Sequence, residues 1–199
     1  METGLAYVVA AKATETGGVV SYSNGMELAE AVSADISINF ETKKFYSNNR
    51  LRTTKRKFKD GNVKLGVDDL SQTAQKFILG GDEADAGITG ETTLKELQSG
   101  GDDVVPYVGI GFYGNKIVGN VEKYRAIWFR YTQFEPSSES LKTQGESVEF
   151  ANPTINGAIY EAALAEGGKM KYKDEVTVDT VAKAKEWLNK KAGITEGGE

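Results

Sequence analysis

The stretch GIGFYG, residues 109 to 114, matches the G-x-G-x-x-G pattern of dinucleotide-binding proteins. That pattern binds a pyrophosphate only where its glycines open a helix whose N-terminus receives the phosphates. Here NKIVGNV follows at residues 115 to 121, with another glycine and β-branched residues, and a second strand comes next. The sequence therefore predicts a strand in which glycines permit bulges or close backbone approach, and no cofactor is expected.

A second place where chemistry is conceivable is the acidic segment DEADAGITGETT, residues 82 to 93. An EF-hand calcium loop needs oxygen ligands at its positions one, three, five and twelve. Counted from Asp82, the last three of these positions hold Ala84, Ala86 and Thr93. The template fails, so we interpret this segment as a solvated, flexible acidic loop without a metal.

The residue types needed for most acid–base and metal chemistry are missing. The chain of 199 residues has no histidine and no cysteine. Histidine is the commonest general base and the commonest metal ligand, and cysteine is required for disulfides and thiolate chemistry. An enzyme would have to use carboxylates, lysine, tyrosine or serine alone, so we expect no enzyme and no required metal.

Charge is divided unevenly along the chain, whose formal net charge is −5. Segment 41–64 holds nine basic and two acidic residues, so it carries +7 and the rest of the chain must carry −12. The basic residues are Lys43, Lys44, Arg50, Arg52, Lys55, Arg56, Lys57, Lys59 and Lys64. The first eight are the candidate subunit interface.

This basic segment has three interpretations. It could bind nucleic acid, although aromatic residues are sparse within it and the acidic remainder would repel a phosphate backbone. It could mediate head-to-tail self-association, in which the basic arm of one copy meets the acidic body of the next. Contacts of that kind generate rings or open filaments. The third interpretation is an ordinary solvated loop.

The elements that must position these residues are mostly short strands. Alternation and β-branched content predict strands, turn residues predict a turn at residues 23–25, and residues 26–35 could begin as a helical turn. We expect a β-arm or projecting loop over about 41–64, with its hairpin at Asp60–Gly61. The predicted strands are 5–11, 18–23, 33–40, 62–69, 104–114, 123–134, 148–151, 154–164 and 170–178, of which 104–114 and 123–134 are the longest.

Two helices complete the pattern. Residues 68–81 form a short one, capped by Asp68 or Asp69 and stopped by Gly80 and Gly81. Residues 179–192 form the clearer one, with Asp179 or Thr180 as cap, an apolar stripe and Gly193 at its end. We therefore predict a mainly β (α+β) fold. It is an antiparallel sandwich or bent barrel with a flanking short helix and a C-terminal helix, and residues 1–199 form one domain.

The segment KYRAIWFRYTQF, residues 123 to 134, is apolar on both faces of its predicted strand. Ala126 and Trp128 fall on one face, and Ile127 and Phe129 on the other. One face must pack in the core. The other must lie against a covering helix or a neighbouring subunit, and the sequence leaves both open.

The block KYRAIWFRYTQFEPSSESLKTQGESVEFANPTINGAIY, residues 123 to 160, resembles the major tail proteins of bacteriophages with long, flexible, non-contractile tails. The preceding helix VDDLSQTAQKFILG and strand YVGIGFYG stand at a similar spacing, and the likeness covers residues 34–160. The basic arm and the last forty residues match less clearly.

The resemblance implies a tail-tube fold and a structural virion protein of the tail, assembled in the host cytoplasm. Six copies would form a ring, and rings would stack into a hollow tube around a tape-measure protein, for passage of genome DNA. Tail-terminator and distal tail proteins are further implied partners, and the basic residues listed above become candidates for ring stacking. The acidic body would suit a lumen through which DNA slides.

Two alternatives remain open. One is a monomeric β-sandwich binding or adhesion module, which would carry clustered exposed aromatic residues on one sheet face. The other is a tube protein of the type VI secretion kind, which has the same architecture. No run of 18 apolar residues exists, so we expect no membrane span.

Overall fold

The computed structural model describes residues 2–91, 93–136 and 153–195. The chain is mostly antiparallel β structure with one short helix and one C-terminal helix, as the sequence predicts. The elements are β1 Glu2–Thr16, β2 Val19–Ala29, β3 Ala31–Ser47, β4 Arg50–Val67, α1 Gln72–Leu79, β5 Asp82–Asp85, β6 Lys95–Gln98, β7 Tyr107–Val118, β8 Val121–Glu135, β9 Thr154–Tyr160, β10 Lys173–Val178 and α2 Val181–Ala192. The predicted strand 148–151 lies outside the described residues.

One large sheet organises the molecule. Its strand order is β2-β1-β7-β8-β9-β4-β3, and β10 adds a branch beside β8. Along one edge β8 pairs with β7, whereas its other edge pairs first with β10 and then, beyond Arg130, with β9. The sheet bends so that β3 approaches β1, and a cleft of about 280 Å³ lies between Leu5 of β1 and Ile36 of β3.

The main core fills the inside of this bent sheet. Alternate residues of β1, β4, β7, β8 and β9 point into it, because a strand turns successive side chains to opposite faces. Val63, Leu65 and Val67 of β4 are all buried there, as their alternation predicts. Helix α1 closes one side with Ala74 and Ile78, which are fully buried.

Helix α2 covers the second face of β8. Ala126 and Trp128 of β8 are fully buried against Ala184 and Leu188 of α2, whereas Phe129 points into the main core. The covering helix therefore accounts for the two apolar faces, and within the described residues this strand needs no neighbouring subunit to bury it.

Glycines of β7 create the space for Trp128. A Cβ on Gly109 would lie 2.4 Å from the Trp128 ring, and one on Gly111 would lie 2.6 Å from that ring and 2.7 Å from Leu188. Since real Cβ atoms do not approach so closely, only glycine fits under the indole. The motif at 109–114 is thus a strand whose glycines allow close packing, and a register irregularity also occurs between Val108 and Ile110.

The predictions for residues 18–35 are partly wrong. Residues 23–25 form a bulge within β2, where Asn24 has a φ of 51°, and the chain turns instead at Gly17 and Gly18. Gly25 lets the end of α2 approach, because a Cβ there would meet the Ala192 carbonyl oxygen at 2.2 Å. Residues 26–35 contain no helical turn, since they continue β2 and begin β3.

Both helices stop and start close to the predicted places. The α1 cap is Ser71, whose hydroxyl accepts from the Ala74 N–H, so the prediction of Asp68 or Asp69 is wrong. Gly80 ends this helix with a φ of 86°. The α2 cap is Thr180, one of the two predicted residues, and Gly193 ends α2 in the left-handed conformation.

Candidate self-association surface

The basic segment is part of a long β-hairpin. Strands β3 and β4, with 17 and 18 residues, are the longest in the described chain, so the prediction that 104–114 and 123–134 are longest is wrong. They pair from Ala31 and Val67 out to Ser47 and Arg50. The base of β4 also pairs with β9, but only through Gly61 to Gly66.

Beyond this base the hairpin pairs with no third strand in the described residues. Residues 40–59, here called the free arm, pair only with each other in the described structure. From 41 to 57 every residue is exposed except Ser47, which is half-buried. The predicted arm of 41–64 is therefore too long at its end, because residues 61–64 belong to the main sheet.

The hairpin turn lies at Asn48 and Asn49, and the prediction of Asp60–Gly61 is wrong. Both asparagines have positive φ, 52° and 56°, which two-residue hairpin loops of the favoured twist require. Asp60 instead sits in mid-strand opposite Asn39, whose side-chain amide donates to its carboxylate at 2.6 Å. The glycine at 61 serves packing, because a Cβ there would meet Ile38 at 2.8 Å.

The hairpin register gives the free arm two different faces. Directly paired residues share a face. Lys59 and Arg52 are the extra residues of two bulges on β4, so neither has a direct partner on β3. The cationic face carries Lys43, Arg50, Lys55 and Lys57, together with Glu41 and Phe45. The aromatic face carries Phe40, Tyr46, Leu51 and Phe58, together with Lys44 and Arg56. All eight predicted interface residues are exposed on this arm.

Cations on the cationic face repel one another. Lys43 and Lys55 are directly opposite across the hairpin, an arrangement that destabilises a strand pair when both side chains carry the same charge. Within the described residues, the ion pairs on the free arm are Lys43–Glu41 at 3.4 Å and Lys59–Asp60 at 3.6 Å, both well exposed. Exposed pairs are weak, so most of the positive charge is uncompensated.

The aromatic face is anchored at its base and open further out. Tyr172 stacks on Phe58 with ring centroids 5.3 Å apart, and Phe40 contacts both rings at 6.3 Å. The guanidinium of Arg56 lies 4.8 Å from the Phe40 centroid. Towards the tip Tyr46 is 58% exposed and its cross-strand partner Leu51 is 52% exposed, so their apolar atoms remain uncovered there.

An acidic hairpin forms the electrostatic counterpart. Residues 82–103 contain seven carboxylates and one lysine, a net charge of −6. Strands β5 and β6 pair within it as a separate two-stranded sheet. The prediction of a flexible acidic loop over residues 82–93 is therefore wrong for β5, and the sequence predicts no strand at β6. Lys95 pairs with Asp85 inside it, and Lys76 of α1 pairs with Glu83 at 3.1 Å. Sequence reasoning missed this pairing because the strands have only four residues each.

A cleft of about 590 Å³ between β2 and α2 combines Tyr22, Trp187 and Lys191. Tyr22 donates to the Arg130 carbonyl oxygen at 2.8 Å, and burial raises the pKa of its hydroxyl to about 12. Lys191 is held by Asp174 at 2.8 Å. Both polar groups therefore hold structural contacts in this arrangement.

Among the described residues no group of three or more carboxylates could hold a metal ion. The helices described are also too short or too polar to cross a membrane. No known family model and no curated protein matches the chain. Over the described residues the fold is mainly antiparallel β with two helices, and the most distinctive surface there is the free arm.

Proposed function

We propose that this chain is a structural subunit that self-associates through its free arm, as the major tail-tube protein of a long, non-contractile bacteriophage tail. Stacked hexameric rings would form a hollow tube through which genome DNA passes. The proposal draws on the resemblance of residues 123–160 and on the free arm. The observation that carries it is the arm itself, with an exposed cationic face and an aromatic face that is exposed towards the tip.

Such an arm is poorly suited to a monomer. A two-stranded ribbon is marginally stable in water unless another element covers it. Here paired lysines add repulsion, and Phe45, Tyr46 and Leu51 are each more than half exposed. Covering these side chains with another subunit would stabilise the assembly by roughly 25 cal/mol for each Å² of apolar surface buried. It would also bring counter-charges to the lysines.

Repetition would make weak contacts sufficient. An exposed ion pair contributes under about 1 kcal/mol, so one arm gains little from charge alone. In a stack each subunit repeats the same contacts, and many small terms add up. The further partners of the proposal are a tape-measure protein, tail-terminator and distal tail proteins, with the virion tail as location and the host cytoplasm as the place of assembly.

The assembly state of the purified protein tests the proposal. Light scattering after gel filtration and negative-stain electron microscopy at high concentration should show rings or tubes, alone or after co-expression with the adjacent tail genes. A monomer under all these conditions would contradict it and favour the adhesion module. Antibody labelling of purified phage tails separates a phage tube from a secretion tube, because only the phage protein would coat the tail.

A further inference from the structure

We infer that the cationic face of the free arm docks on the acidic hairpin, residues 82–103, of a second copy of this chain. This inference rests on the proposed function and names the surface that receives the arm. The two segments carry opposite and nearly equal charge, since residues 40–59 have eight basic residues and one acidic residue, and residues 82–103 total −6.

Several carboxylates of the acidic hairpin are not compensated by a nearby cation within the described residues. Asp82, Glu91, Glu96 and Asp102 are exposed, and none of them forms an ion pair within the described residues. Opposed potentials of this kind align partners and disfavour like-charged contacts. A cationic strand pair brought alongside would supply the missing counter-ions and would relieve the repulsion between Lys43 and Lys55.

Apolar side chains lie among the charges on both surfaces. On the acidic side Ile88 is 53% exposed and Leu94 is 46% exposed, and Val104 follows the hairpin at 86%. On the arm, Phe45 is 61% exposed and shares the face of the lysines. Contact between the two surfaces would bury these groups as well as pair the charges, which gives the docking a hydrophobic component.

The partner that docks is another copy of the chain, because the described residues of the free arm and the acidic hairpin do not pair their charges with each other within one copy. Within the described residues no ion pair joins the free arm to residues 82–103. Each hairpin is two-stranded and stands apart from a third strand along its exposed length. An arm that meets a different patch on an identical chain makes a heterologous contact, which generates rings or filaments.

Charge exchange tests the inference. The arm variant carries Lys43→Glu, Lys55→Glu and Lys57→Glu, and the hairpin variant carries Asp82→Lys, Glu91→Lys and Glu96→Lys. We expect each variant alone to raise the critical concentration for assembly by about tenfold or more, since each removes the complementary charges. Mixed in equal amounts, the two variants should co-assemble, because each arm then meets a surface of opposite charge.

A matched control keeps the result specific. Lys169→Glu, Lys171→Glu and Lys190→Glu change the net charge by the same amount at exposed positions outside the arm, and should leave the critical concentration unchanged. Circular dichroism and thermal unfolding of every variant verify that each monomer is folded. Sedimentation measures the assembled fraction.

The outcomes separate this inference from the proposed function. A wild-type chain that never assembles contradicts the function. If the wild-type chain assembles and the hairpin variant assembles equally well, the acidic hairpin is not the surface on which the arm docks. The same conclusion follows if the mixture of the two variants fails to co-assemble. Either result overturns the inference but does not contradict the tube proposal. Assembly that disappears on nuclease treatment would make nucleic acid the occupant of the cationic face and would also overturn the inference.

Discussion

Arg130 and Asp174 form a two-point ion pair where β10 and β9 divide the edge of β8, with guanidinium nitrogens 2.6 and 3.1 Å from the two carboxylate oxygens. A third guanidinium nitrogen donates to the Ala162 carbonyl oxygen at 3.0 Å. Lys191 of α2 reaches the same carboxylate. One acid therefore connects β8, β10 and the helix that covers Trp128.

Replacing Asp174 with Asn should destabilise the fold by about 2–3 kcal/mol, because it leaves a mostly buried guanidinium without its counter-charge. The side chains of Arg130 and Asp174 are only 11% and 18% exposed. Asp179→Asn is the matched control, since its pair with Lys123 is more exposed and should matter far less. Urea unfolding measures both, and equal effects would contradict the assigned role.

Stability should depend on pH through the carboxylates of β10. Hydrogen bonds from Lys173 and Arg125 lower the pKa of Glu175 to about 2 from its ordinary 4.5. Burial alone would raise the pKa of Asp174, but hydrogen bonds from Arg130 and Lys191 hold it below its ordinary value. Groups with a lowered folded pKa stabilise above their unfolded pKa and lose that contribution as pH falls through the folded value.

The free energy of unfolding should therefore be nearly flat from about pH 5 to about pH 9, below the titration of tyrosine and lysine, and should fall between 4.5 and about 2. Glu175→Gln should make that decline shallower, by roughly 1 kcal/mol or less because its side chain is partly exposed and screened. Chemical unfolding at a series of pH values gives the profile. A slope unaltered by Glu175→Gln would show that its ion pairs contribute nothing.

Gly111→Ala should destabilise the protein by about 1–3 kcal/mol, because its Cβ would collide with Trp128 and Leu188 and overpack the interface with α2. Gly114→Ala in the same strand is the control, since its nearest neighbour would be 3.4 Å away. Thermal unfolding followed by tryptophan fluorescence compares the two. Equal stability of both variants would show that the packing around Trp128 adapts.

Salt should weaken assembly if charges join the subunits. The screening length falls from about 10 Å at 0.1 M to about 3 Å at 1 M ionic strength, and exposed pairs weaken accordingly. We expect the sedimented fraction of the wild-type chain to fall as sodium chloride rises. Assembly that strengthens with salt would instead indicate a mainly apolar contact.

Replacement of Arg52, Arg56 and Lys57 on the free arm with Glu should stop assembly while the monomer stays folded.

The aromatic face should contribute separately from the charges. Tyr46→Ser with Leu51→Ser removes apolar groups that are 58% and 52% exposed, so the isolated monomer should keep its stability. Assembly should still decline. Ile117→Ser with Val121→Ser, similarly exposed at the tip of the β7–β8 hairpin, should leave assembly unchanged. Sedimentation at equal concentration compares the two pairs, and equal losses would mean that the effect is not specific to the arm.

Local patterns determined much of this protein. The alternation of Val63, Leu65 and Val67 identified a half-buried strand, and the apolar stripe and end residues of α2 identified a helix. Such signals depend on neighbours in sequence, because burial of one face requires a fixed spacing. The same local information located the exposed basic residues, since charged side chains in such density are rarely buried.

Tertiary structure decided the register of the β3–β4 hairpin and which element covers the second apolar face of β8. Asn48 and Asn49 had turn chemistry as good as Asp60 and Gly61, and the choice followed from the pairing of β4 with β9, which is distant in sequence. That register alone sorted Lys43 and Lys55 onto one face and Phe40 and Phe58 onto the other. Likewise, both faces of β8 were apolar in sequence, but the space left by glycines on the adjacent β7 strand let α2 close over Trp128. Periodicity specifies which face is apolar, whereas the partner of that face depends on packing between residues far apart in the chain.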